Sequence, residues 1–207
     1  MPQILIVAAT DFETAYLRGK ITESHIHFLH TGIGMVNTAY HLGKYLAQNR
    51  PDLAINIGIA GSFDRNIALG EVVEVVEDTF SEMGAEDKGD FLDMEKMGFP
   101  LSKEPLLYNT ITNPFPSSFS LKKVNALTVN TVHGEKESIL ACEKRWNKQI
   151  ETMEGAAFFQ IMMREKIPFY AFRSISNYVE PRNRANWQIP LALANLGDFV
   201  FHADFHR

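Results

Sequence analysis

Two glutamates stand where they could do chemistry. Glu13 follows Thr10 by three residues, just after the apolar run 4–9. That spacing suits a capping box, in which the Thr and Glu side chains satisfy each other's backbone donors. It equally suits a carboxylate at the end of a strand that orients and deprotonates water. Glu154 lies between Met153 and Gly155. Its carboxylate can accept from two vicinal hydroxyls while the Met side chain packs on a sugar face. An acid favoured by the dipole of a helix N-terminus, beside a core Met, explains the same residues. Gly58-Ile59-Ala60-Gly61 permits close approach of a ligand to the backbone, or simply a tight strand-to-helix turn. Arg173-Ser174-Ile175-Ser176-Asn177 places a cation and an amide at the end of another apolar run.

Other chemistries find less support. In Gly32-Ile33-Gly34-Met35-Val36-Asn37, Asn37 replaces the third glycine of a dinucleotide-binding fingerprint. The sequence has no phosphate-binding P-loop, no H-E-x-x-H or other metal-ligand spacing, and no G-x-S-x-G nucleophile elbow. His25 and His27 read as two residues on one face of a strand rather than as metal ligands.

Positioning these residues requires a particular scaffold. Apolar runs at 3–9, 25–31, 53–59, 71–77, 125–130 and 168–175 are bounded by turn-forming residues, and several are continuous, as in strands covered on both faces. Helical patterns at 11–19, 35–48, 136–146, 153–166 and 187–203 alternate with them. The order predicts an α/β fold: a three-layer single domain spanning 1–207, with a central sheet between helices. Residues 81–120, with their glycines, four prolines, Met83, Phe91, Met94, Met97 and Phe99, break the alternation and read as an excursion of loops and short strands. Ligands of open α/β sheets gather beyond the carboxyl ends of strands. Segments 9–13, 58–62, 151–155 (read as opening a helix) and 173–177 all qualify, and all four could face one pocket.

The 207-residue chain is 45% hydrophobic and 22% charged, an ordinary globular composition. Its net charge of −5 argues against nucleic acid or an anionic membrane as partner and favours a small molecule. Cys142, the single cysteine, cannot form an internal disulfide and reads as a small, partly buried helix residue. The run 4–9 is too short for a secretion signal, and no apolar stretch approaches the ~20 residues needed to span a bilayer. A cytoplasmic location is expected.

Taken in order, Glu13, then 31–34, 56–61, Met153-Glu154-Gly155 and 173–177 resemble the motifs of the nucleoside phosphorylase/nucleosidase family over most of the chain, thinly at 81–120. The resemblance implies a mixed central sheet and cleavage of a purine nucleoside's N-glycosidic bond. Glu13 would manage the water, Glu154 bind the ribose 2′ and 3′ hydroxyls and Met153 pack on the sugar. Ile59, Ala60 and Gly61 would line the substrate site, and Asn177 would face the imidazole side of the base. Arg173 joins the substrate-binding group, supporting Glu154 or Glu13 or closing an ion pair. Adenine-specific members carry Asp where this chain has Asn177, and a neutral amide cannot serve as their general acid. Segment 176–187 looks most like the branch releasing a 6-oxopurine, whose substrate bears an aryl carboxylate on the 5′ side. Arg182, Arg184 and the Met and Phe residues of 83–99 are candidates for that end, though solvated charges and core packing explain them too. Phosphorylases of the family place Arg and Ser where Asn56 and Ile59 stand here, so water is the expected nucleophile. Neither metal nor organic cofactor is implied, and a homodimer is. Which residues meet the base edge around 131–133 stays open, as do an adenine nucleosidase, a phosphorylase and a catalytically silent purine-binding protein.

Overall fold

A computed structural model describes residues 1–99, 107–109 and 120–203. Its strands are β1 (Ile4–Ala8), β2 (Ile26–His30), β3 (Leu53–Ser62), β4 (Val72–Asp78), β5 (Gly84–Asp87), β6 (Asp90–Asp93), β7 (Leu107–Tyr108), β8 (Lys122–Thr128), β9 (Ile150–Thr152) and β10 (Phe169–Tyr178). The helices are α1 (Asp11–Thr14), α2 (Met35–Leu46), α3 (Lys136–Trp146), α4 (Gly155–Glu165) and α5 (Ile189–His202).

The continuous apolar runs became buried strands because both faces of the sheet are covered. Successive side chains of a strand point to opposite faces. Leu5 and Val7 of β1 join Leu42 of α2 and Ala156, Phe158, Phe159 and Met162 of α4 in one core. Ile4, Ile6 and Ala8 join Leu17 and the α5 residues Leu196 and Val200 in another. These are the three layers the alternation predicts. Parallel pairing links β2, β1, β3 and β10, whereas β10 with β4 and β3 with β9 run antiparallel, so the sheet is mixed. Because β10 pairs both β3 and β4, strands β3, β10, β4, β8 and β9 close on themselves, leaving β1 and β2 as an extension.

The differences from expectation are local. The helix expected at 11–19 stops after one turn. Thr14 Oγ1 turns back onto Asp11 O at 3.2 Å, and Gly19 at φ +76° reverses the chain. The helix expected from 153 starts at Gly155, since residues 150–152 form β9, a strand too short and too polar to show as an apolar run. Within the excursion, β5 and β6 make a hairpin whose Lys88-Gly89 turn has φ +53° and +93°, the left-handed pair a two-residue turn requires. Phe99 and the rest of 83–98 belong to the described part of that excursion, while 100–106 and 110–119 lie outside the described residues. His25 is buried ahead of β2, whereas His27 is exposed and meets Gln3 Oε1 at 3.1 Å, so the two do not share a face of β2. Cys142 lies on α3 and is buried.

Candidate active site

The four segments singled out by sequence meet at one cavity of about 520 Å³. Its wall takes Ala9, Thr10, Phe12 and Glu13 from the end of β1 and from α1, and Ile59, Ala60 and Gly61 from β3. Residues 151–154 and the pair Ser176 and Asn177 of β10 complete the polar part. Ile33, Val132, His133, Arg182, Trp187, Ile189 and Leu193 close the rest. The carboxyl ends of the parallel strands β1, β3 and β10 converge here, and β9 crosses antiparallel to the end of β3.

Glu13 is both a cap and a wall residue. Its Oε2 accepts from Thr10 N at 2.8 Å and from Thr10 Oγ1 at 3.2 Å, which fixes the side chain. Oε1 lies over Gly58, where a Cβ would come within 2.9 Å of it, so glycine is what lets the carboxylate sit there. Burial pushes the Glu13 carboxyl above the ordinary carboxylate range. The nearby Glu154 adds to the rise, while the Thr10 N–H and Arg173 oppose it. A carboxyl raised in this way is a better proton acceptor when ionised.

Glu154 is the N-cap residue of α4 rather than a member of its first turn. Its Oε1 accepts from Gly34 N at 2.9 Å, which ties the start of α4 to the loop after β2. Met153 beside it is half-buried against Val129, Leu127 and Cys142 and also faces the cavity. Gly155 follows because a Cβ there would overlap Asp78 Oδ2.

Arg173 is corrected. Expected among the substrate-binding residues, it is only 2% exposed and is absent from the cavity wall. Its guanidinium donates to Phe172 O at 2.9 Å and to the Asn56 side chain, and it faces the charges of Glu154, Asp78 and Glu13 from behind. Its charge opposes the rise in the Glu13 and Asp78 pKa values, although its side chain is not part of the cavity wall. Asn56 is consumed in the same scaffold: its Nδ2 donates to Val7 O at 3.0 Å while its Oδ1 accepts from Arg173. The positions noted for phosphate binding thus hold a locked amide and the apolar Ile59.

Asn177 sits at a register shift of β10, opposite Gly61 of β3. The bulge interrupts the strand's alternation and turns the amide to the cavity. Ser176 Oγ donates to Asn177 Oδ1 at 2.8 Å, and Asn177 Nδ2 donates to Tyr178 O at 3.1 Å, which leaves one amide hydrogen for a ligand.

Sequence reasoning did not single out the side chains of Glu151 and His133 for function. Glu151 Oε2 accepts from His133 Nδ1 at 2.7 Å, and both residues are on the wall. The available signal was an acid inside Ile150-Glu151-Thr152, but three residues are too few to reveal a strand. Of the two arginines proposed for the 5′ end, Arg182 is on the wall with its guanidinium 4.9 Å from the Trp187 ring centre. Arg184 stands 5.9 Å from the same ring, off the wall.

An α/β sheet whose strand ends converge on a pocket walled by Glu13, Glu151 and Glu154 sets the class. The chain belongs to the phosphorylase superfamily, whose profile it matches over residues 9–201. It is 29% identical to the futalosine hydrolase of Thermus thermophilus, covering 95% of this chain and 92% of that one. It is 30% identical to the futalosine hydrolase of Streptomyces coelicolor over 79% of this chain and 70% of the other. The crystal structure of a 5′-methylthioadenosine/S-adenosylhomocysteine nucleosidase from Colwellia psychrerythraea in complex with adenine shares the fold. Its TM-score is 0.75 at 20% identity, covering 97% of this chain and 93% of that one.

Proposed function

We propose that this protein is a purine nucleosidase that hydrolyses futalosine to hypoxanthine and the dehypoxanthine sugar product in menaquinone biosynthesis. The carrying observation is Asn177, an amide held at the cavity wall by Ser176 and Tyr178 with one hydrogen to spare. Hypoxanthine can leave with negative charge spread toward O6, and an N–H donor stabilises that charge. Adenine needs a proton, which an amide cannot give.

In this reading Glu13 takes a proton from the attacking water while Thr10 holds its other oxygen. Glu154 accepts from the ribose hydroxyls and places negative charge near the sugar as it becomes oxocarbenium-like. Met153, Ile59 and Ala60 pack on the substrate, and the backbone of Gly61 lets the base approach β3. Trp187, with Arg182 over it, offers an apolar surface and a cation to the aryl carboxylate of the 5′ side. No cofactor is required by this chemistry. Phe12, Ile33, Val36 and Tyr40 are large apolar residues left exposed beside the cavity mouth and along α2, a surface suited to a second copy in a homodimer. The site of action is the cytoplasm. Among the described residues no helix is long and apolar enough to cross a membrane.

The test is direct. Purified protein is incubated with futalosine, inosine, methylthioadenosine and adenosylhomocysteine, with and without phosphate, and free base is followed by chromatography. Hypoxanthine release from futalosine, indifferent to phosphate, is expected. Faster release of adenine, or formation of a sugar 1-phosphate, would overturn the reading.

A further inference from the structure

The cavity contains an ion pair to which the mechanism above assigns no task. Glu151 is 3% exposed, yet it is a carboxylate at a ligand-sized cavity. It holds His133 twice: Oε2 accepts from Nδ1 at 2.7 Å and Oε1 from the backbone N–H at 3.1 Å. A buried acid is a poor way to stabilise a fold, because desolvation offsets most of what its partner returns. A Cβ placed on Gly61 would lie 3.4 Å from Glu151 Cγ and 3.3 Å from Asn177 Nδ2. Glu151 and the amide therefore flank the same glycine, and His133 is held to that wall through Glu151. With Nδ1 committed to Glu151, His133 Nε2 has no hydrogen-bond partner among the described residues.

We propose that His133, oriented by Glu151, donates from Nε2 to the departing 6-oxopurine, sharing with Asn177 the charge that collects there. The proposal rests on the hydrolase reading above. As the C1′–N9 bond breaks, its electron pair passes to the purine. Water oxygen bonds to C1′ and gives a proton to Glu13, His133 gives its Nε2 proton to O6 of the purine, an acceptor that adenine lacks, and the proton on Glu13 returns to His133 through solvent. The sum is nucleoside plus water to free base plus free sugar. His133 is the catalytic residue of this step and Glu151 its positioning residue.

The surroundings suit an imidazolium. Glu151 faces His133 from β9 and Glu82 from the segment after β4, and together they hold its pKa above the ordinary imidazole value against the effect of burial. Arg182 packs its stem on Gly134, next in the chain. Cys142 on α3 lies near Glu151 as a thiol pushed up to about 12, and so is neutral. Phe63 contributes only its ring, 6.3 Å away. The cation is needed for turnover, so activity should fall as pH rises through the raised value.

His133→Asn and Glu151→Gln, checked by thermal melting, are compared with wild type across pH. The substrates are the 6-oxopurine nucleoside that wild type cleaves and 4-nitrophenyl riboside, whose leaving group needs no proton. His133→Asn is expected to lower kcat on the purine nucleoside by about 100-fold or more and to abolish the alkaline limb. Its deficit on the nitrophenyl riboside should be at least about ten-fold smaller. Glu151→Gln should move the alkaline limb, and the His133 titration followed by NMR, to lower pH. If that variant does not fold, the wild-type titration decides: a His133 pKa at or below the ordinary imidazole value overturns the proposal. An alkaline limb unmoved in both variants, or equal deficits on both substrates, also overturns it. Wild type releasing no base from any purine nucleoside sinks the hydrolase reading itself, and this proposal with it.

Discussion

Replacing Glu13 by glutamine separates the cap that the structure shows from the catalytic role proposed for the same side chain. The substituted amide can still present an oxygen to Thr10 N, which lies 2.8 Å from Glu13 Oε2, so the turn at the start of α1 keeps its cap. The amide nitrogen then takes the place of Oε1 above Gly58. Two opposing effects act on stability. Burial disfavours the charged carboxylate, and its loss relieves that cost, but Arg173 behind it loses one of three facing carboxylates. Glu154 and Asp78 remain, so the net change should stay within about 1 kcal/mol, or roughly 2–4 °C in Tm for a chain of this size. Catalysis has no such compensation. An amide cannot take a proton from water, and loss of a general base costs about 10²–10⁴ in rate, or roughly 3–5 kcal/mol of barrier. The assay is single-turnover release of base, with melting curves and substrate Kd measured on the same preparations. Near-normal turnover together with a stability loss of about 0.5–2 kcal/mol, the cost of a missing cap, would refute the reasoning and leave Glu13 a structural residue. The wild-type pH profile adds a check: the raised Glu13 carboxyl must be ionised to act, so turnover should fall on the acid side at a pH above the ordinary Glu range and lose that limb in the variant.

Other substitutions probe the base, the sugar and the scaffold. Asn177→Asp should shift kcat/KM toward adenine nucleosides, because a carboxyl can carry the proton that adenine requires; an unchanged preference on a mixed inosine and adenosine panel would count against the role given to Asn177. Gly155→Ala forces a Cβ onto Asp78 Oδ2 and should destabilise the fold by about 1–3 kcal/mol in denaturant titrations, with a raised KM as Glu154 is displaced; a neutral variant would refute the close approach. Burial pushes the Asp78 pKa to about 7, from 3.8. Between these values the folded chain holds a proton that the unfolded chain has released, so Asp78 contributes stability that is complete below the lower value and lost as pH rises through the upper one. Asp78→Asn should flatten that part of the stability curve in pH-dependent melts, and an unaltered slope would contradict it.

The sequence by itself carried the scaffold and the carboxylates. Burial on both faces demands apolar residues throughout β1 and at most positions of β3, and that demand is legible one residue at a time. The long helices α2, α3, α4 and α5 show through their periodicity within a residue or two. Glu13 and Glu154 were visible because each sits beside a strand end or helix start that local chemistry marks. Sequence could not choose between cap and catalyst for Glu13, and the structure shows why: Thr10 takes one oxygen, and the bare backbone of Gly58, distant in the chain, accommodates the other. The place of Arg173 depends on Asn56, Glu154, Asp78 and Glu13 arriving from four other segments, so its burial behind the cavity has no local signature. Glu151 and His133 belong to the same kind. They lie 18 residues apart on a three-residue strand and a loop, and they meet only because β9 pairs with both β8 and β3. Local patterns record what each residue needs from its neighbours along the chain, whereas a polar pair across strands is decided by register, which only the folded sheet supplies.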